Sequence, residues 1–174
     1  MTLQEVLKKV LTLIEEYDKT NETNFTNDPD IENKIRECID NIQVELATIK
    51  RIKAVEEFDT SETNEMDIPD DLYKIDKVKE CEFEVLGNTI IFDENYKGIV
   101  HIYYDKYPDK INDNTALTKK LELSRDAIDC LIYGVASDVL KSDVSANYSV
   151  YEYKYQELKQ KLNNQITNGI IWVE

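Results

Sequence analysis

The sequence predicts an α+β fold, mainly α: a helical bundle of about four helices with a small antiparallel β-sheet inserted between its halves. Three observations carry this. Apolar residues recur at helical spacing near both ends of the chain, and between Leu72 and Tyr107 the period drops to that of a strand. Only four glycines and three prolines occur among 174 residues, too few for a loop-rich fold. The order divides the chain into an N-terminal helical half, 1–58, an inserted β module, 59–118, and a C-terminal helical half with an apolar tail, 119–174.

The first helix opens on Thr2-x-x-Glu5, a capping-box pattern that satisfies otherwise orphaned amides. Leu3, Val6, Leu7, Val10, Leu11, Ile14 and Tyr17 form its apolar stripe, and Thr20 to Asn27 reads as loop. Asp28-Pro29 starts a second helix, with Asp28 as N-cap and proline at a position whose amide has no partner to lose. The stripe Ile31, Ile35, Cys38, Ile39, Ile42, Leu46 and Ile49 predicts that this helix runs to about Val55. Residues Asp59 to Asp67 read as polar linker, and Ile68-Pro69-Asp70-Asp71 as a turn. Alternation then appears around Phe83 and Val85, with turns at Gly87-Asn88 and at Asn95 to Gly98, and a β-rich run from Ile99 to Tyr104. Helix returns at Ser124, with Asp126 in its first turn, and Ile128, Leu131, Ile132, Val135, Ala136, Val139 and Leu140 give it a broad apolar face. The last helix is expected from near Val144 through Tyr148, Tyr151, Tyr155, Leu158 and Leu162 to a stop at Asn168-Gly169.

Composition excludes several functions. The chain is 41% hydrophobic and 33% charged, a globular balance. Its 36 acidic against 21 basic residues, a net charge of −15, argue against a nucleic-acid footprint and against an anionic membrane as partner. Lys8, Lys9, Glu15 and Glu16 interrupt the opening segment, so it reads as neither a signal peptide nor a membrane span. Cys38, Cys81 and Cys130 lie far apart with no CxxC pair, which predicts free thiols in a reducing cytoplasm and neither a zinc site nor a disulfide framework.

No catalytic or cofactor-binding constellation is visible. His101 is the only histidine and sits in a strand-like run, as a structural or surface residue would. Asp105, Asp109, Asn112, Asp113 and Asn114 are rich in oxygen, yet lack the spacing and central glycine of a helix–loop–helix calcium site; a solvated loop is expected. Gly87 and Gly98 are isolated, so no phosphate loop is present. The tyrosines say more. Tyr148, Tyr151 and Tyr155 share one helix face, which suits either a core rim or a protein–protein interface, and both readings stand open. Ile170, Ile171, Trp172 and Val173 make an apolar tail that either packs on its own domain or, the favoured reading, reaches a neighbour by strand addition or groove insertion.

This order of elements resembles the head–tail connector (adaptor) proteins of tailed bacteriophages. The segments that carry the likeness are Thr2 to Leu7 with the long helix from Asp28, Ile68-Pro69-Asp70-Asp71-Leu72 before the sheet, Gly98 to Tyr104 running into Tyr107-Pro108, and Leu123 to Asp143 followed by Tyr148, Tyr151 and Tyr155. The resemblance implies a non-enzymatic virion protein of the neck, made in the host bacterial cytoplasm and needing no cofactor. It implies a homo-oligomeric ring, twelve being the expected number, docked on the portal and meeting tail components, through which DNA passes without specific binding. It makes the segment from Gly169 to Glu174 the place to look for the portal. The competing expectation is a small acidic regulator or DNA-mimic inhibitor, with carboxylates arrayed over one face.

Overall fold

The computed structural model describes residues 1–16, 26, 28–141 and 146–168, with side chains as far as 164. Among the described residues are α1 (Leu3–Leu13), α2 (Pro29–Ile49), β1 (Ile52–Asp59), β2 (Glu65–Asp67), β3 (Leu72–Lys79), β4 (Phe83–Leu86), β5 (Thr89–Phe92), β6 (Ile99–Lys106), α3 (Arg125–Leu140) and α4 (Ser149–Asn168). The chain divides into a helical unit, Met1–Lys50 with Pro108–Glu174, and a β unit, Arg51–Tyr107.

The β unit corrects the expected fold class. The protein is α+β, but not a helical bundle with one small inserted sheet: six strands form two three-stranded antiparallel sheets, ordered β1-β6-β3 and β2-β5-β4. Two stretches supply the additional strands. The second helix stops at Ile49, with Lys50 already extended, instead of running to Val55. From Ile52 the side chains alternate between half-buried and exposed, because the run pairs with β6 from Ile52↔Lys106 to Asp59↔Ile99. That pairing turns Val55, the expected end of the helix, onto the outer face, where it is 56% exposed. The second stretch is the expected linker, where β2 pairs with β5 and only Met66 joins the core. Between them the two sheets enclose Ile90, Phe92, Val100, Ile102 and Tyr104, all buried. Phe58 of β1 stacks on Phe92 of β5 with ring centroids 5.4 Å apart, tying one sheet to the other. Gly87 has φ +62° in the two-residue turn between β4 and β5, the left-handed conformation that a tight hairpin demands.

In the helical unit α3 packs against each of α1, α2 and α4. The capping box of α1 is present: the Glu5 amide donates to Thr2 Oγ1 at 3.3 Å and the Thr2 amide to Glu5 Oε2 at 2.9 Å. Two further amides of its first turn, of Leu3 and Gln4, donate to the carbonyls of Lys119 and Leu117. The expected Tyr17 and most of the loop after it lie outside the described residues. Asp28 caps α2 as expected, accepting from the amides of Asp30 and Ile31. Ser124 takes the N-cap position of α3 but bonds Asp126 rather than the helix amides. α4 begins at Ser149 rather than near Val144, since Ala146, Asn147 and Tyr148 are not helical; Gly169, the expected stop, lies outside the described residues.

Glu15 gives a stability prediction. The Glu16 amide donates to the Leu11 carbonyl and the Glu15 amide to the Thr12 carbonyl, the two bonds of a Schellman stop. Glu15 itself has φ 63°, where a side chain costs ~1–2 kcal/mol and glycine nothing. After glycine's greater unfolded-state entropy is subtracted, Glu15→Gly is expected to stabilise the protein by about 0.5–1 kcal/mol. Thermal denaturation should show a rise of roughly 2–4 °C per kcal/mol for a chain of this size. A lower melting temperature would contradict the assigned cap.

Candidate partner interface

Of the three tyrosines expected on one helix face, Tyr151 and Tyr155 lie on α4 and turn inward, while Tyr148 precedes its first residue, Ser149. Tyr155 is 6% exposed, and its hydroxyl donates to Glu45 Oε2 of α2 at 2.5 Å. A Cβ placed on Gly134 of α3 would fall 2.9 Å from the Tyr155 ring, so the ring lies directly on the glycine backbone. Tyr151 is half-buried, and its hydroxyl donates to the Leu13 carbonyl at 2.6 Å. Tyr148, 38% exposed, is the one most open to water. Ile170, Ile171, Trp172 and Val173 lie outside the described residues.

The outward apolar pair on α4 is Val150 and Tyr153, 61% and 74% exposed. Their signal was in the sequence. They stand three residues apart on one face, out of phase with Tyr148, Tyr151 and Tyr155, where a helix packed on one side ordinarily carries polar residues. The β unit has a different exposed set: Val85 and Leu86, 50% and 71% exposed, on the edge strand β4, with Val55 and Ile99.

Tyr155, Glu45 and Lys159 form one hydrogen-bonded group in the helical unit. Burial, and then the bond to Glu45, push the tyrosine hydroxyl well above its ordinary range, so it stays a donor. Burial also acts to raise the Glu45 carboxyl, but Lys159 and Tyr155 both donate to it and hold it below its usual value. Burial likewise raises the thiols, Cys130 to about 12 and Cys38 to about 11, and Cys81 in the same direction. All three are therefore protonated near neutrality and poor nucleophiles.

The remaining candidates are bound into the scaffold. His101 lies on β6 with Nε2 at 3.4 Å from Glu57 Oε1 and Nδ1 at 3.3 Å from Glu80 Oε2, while its backbone amide donates to the same Glu80 oxygen. Asp105 is 7% exposed and ion-paired with Lys53 at 2.7 Å. Asp109 pairs with Lys119. Asn112 Oδ1 accepts from the Asn114 amide and the Thr115 hydroxyl. Asp105 belongs to the β unit and Asp109 to the helical unit. Among the described residues no group of three or more His, Cys, Asp or Glu side chains is placed to hold a metal ion, and no helix is long and apolar enough to cross a membrane. No family model matches the chain, and no curated protein is significantly similar to it.

Proposed function

We propose that the protein is a non-enzymatic structural subunit of the ring at the head–tail junction of a tailed bacteriophage, binding the portal, its sister subunits and tail components. The observation that carries the reading is that each unit leaves its own large apolar side chains in water: Val150 and Tyr153 on α4, Val85 and Leu86 on β4. A closed ring of identical subunits needs two unlike, complementary faces on every copy, and the adjacent exposed pairs Val150 with Tyr153 and Val85 with Leu86 are the apolar surface each unit offers for them. The likeness of element order to phage connectors supplies the place of such a ring, with twelve copies the expected count. The net charge of −15 adds a reason for DNA to pass without being gripped, since the phosphate backbone binds clustered cations. An acidic mimic of DNA is less well supported, because many carboxylates are matched with lysines, among them Asp71 with Lys106, Asp76 with Lys53 and Glu45 with Lys159.

The deciding measurement is particle mass with negative-stain imaging, alone and with a candidate portal protein. Annular particles, or a complex with the portal, are expected. Val150→Asp combined with Tyr153→Asp should abolish them while changing monomer stability by no more than about 0.5 kcal/mol, as exposed substitutions do. A chain that stays monomeric beside the portal and instead inhibits a nuclease would replace this reading with the mimic.

A further inference from the structure

An open groove of about 570 Å³ runs between α1, α3 and α4 of the helical unit. Its floor is apolar, formed by Leu13, Ile132 and Leu158, and its rim carries Lys8, Lys9 and Lys154. A neighbouring depression shares Lys8 and Lys9 and adds Arg125, extending the basic rim along α1. Two carboxylates, Glu5 and Asp129, line these depressions against the four cations, and Lys154 is paired with Glu157 at 2.9 Å, so the lining itself carries more positive than negative side chains in a chain of net charge −15. Glu5 is already engaged in the capping box, and Lys9 faces Asp129 at 3.7 Å with both side chains about half exposed. Exposed pairs of that kind exchange partners at little cost.

An apolar floor beneath a lysine rim fits a short apolar segment that ends in an acid. The chain contains one directly after α4: Ile170, Ile171, Trp172 and Val173, followed by Glu174. We infer that this segment of one copy seats in the α1–α3–α4 groove of a second copy, with its apolar side chains on the floor and the Glu174 carboxylate at the lysine rim. The inference deepens the ring reading, which supplies the second copy and needs one heterologous contact of this sort.

Trp172 is the only tryptophan, so its emission reports the environment of this segment alone. Wild-type chain, diluted until sedimentation gives a monomer, is titrated with the Trp172→Phe chain, which has an intact groove and no indole. A saturable blue shift is expected. With a titrant that also carries Lys9→Glu and Lys154→Glu, its fold checked by circular dichroism, the midpoint should rise at least tenfold, and added salt should raise it as well. The inference is overturned if the emission stays unmoved up to about 1 mM titrant, the limit of weak association. It is equally overturned if the charge-reversed titrant works as well, or if the monomer is already blue-shifted and indifferent to titrant. The ring reading fails separately: a shift without portal binding keeps the groove contact, and annular particles with Trp172 unmoved remove the groove contact alone.

Discussion

Tyr155→Ala is expected to cost about 3–5 kcal/mol, the range for removing a buried aromatic ring, which is a large part of the ~5–15 kcal/mol that holds a domain folded. The ring fills the space between α4, Gly134 of α3 and Ile42 of α2, and its loss leaves a cavity that a rigid glycine backbone cannot collapse to fill. Tyr155→Phe keeps the ring and loses only the hydroxyl's bond to Glu45. Because that carboxylate is 45% exposed and keeps Lys159, the expected cost is about 1.5 kcal/mol. Gly134 supplies the control. Adding a methyl group there overpacks the wild-type core, at about 1–3 kcal/mol, but should be close to harmless or compensating beside Tyr155→Ala. Urea denaturation of the two single variants and the double variant measures the coupling. Simple additivity would show that the ring does not rest on Gly134.

Arg36→Ala should be of similar size, about 3–5 kcal/mol, as for removing one member of a buried ion pair. Arg36 is 6% exposed, and its guanidinium meets Glu32 Oε1 at 2.8 Å and 3.1 Å. The same group donates to the carbonyls of Asn112 and Thr115, so it fastens the connection between β6 and α3 onto α2. Gln43 and Asp40 hold that connection further along, through the Asp109 carbonyl and the Ile111 amide. The first amides of α1 depend on the same stretch, since Leu3 and Gln4 donate to it. Hydrogen exchange at Leu3 and Gln4 should therefore quicken along with the loss of global stability. Unchanged protection there would mean that the connection holds without Arg36. Glu32→Gln with Arg36→Met should recover part of the loss, because it removes both charges rather than stranding one.

Local chemistry made the starts of helices readable. Thr2 with Glu5, and Asp28 with Pro29, announce α1 and α2 because a cap is decided by a few adjacent residues. The inward face of α4 was readable as well, since Tyr151, Tyr155, Leu158 and Leu162 keep helical spacing. The end of α2 was hidden because no glycine or proline marks it, and Ile52 to Val55 continue an apolar texture that suits either period. Only pairing with β6 decides for a strand, and that partner lies about fifty residues away along the chain. The short strand β2 was hidden for the same reason, with a single apolar residue between acids. Tyr148, Tyr151 and Tyr155 left core and interface equally open, and burial draws Tyr155 inside while exposing Val150 and Tyr153. A groove assembled from α1, α3 and α4 has no linear signature at all.

The register Ile52↔Lys106 places the entrance and the exit of the β unit on neighbouring strands, one residue pair apart. Paired residues in such a ladder stand only ~5 Å from each other. To the helical unit, the whole span from Arg51 to Tyr107 thus amounts to a loop whose two feet almost touch. Lengthening, trimming or replacing what lies above the feet changes no distance that the helices must bridge. A foreign domain with closely spaced ends is therefore the natural graft at the same junction.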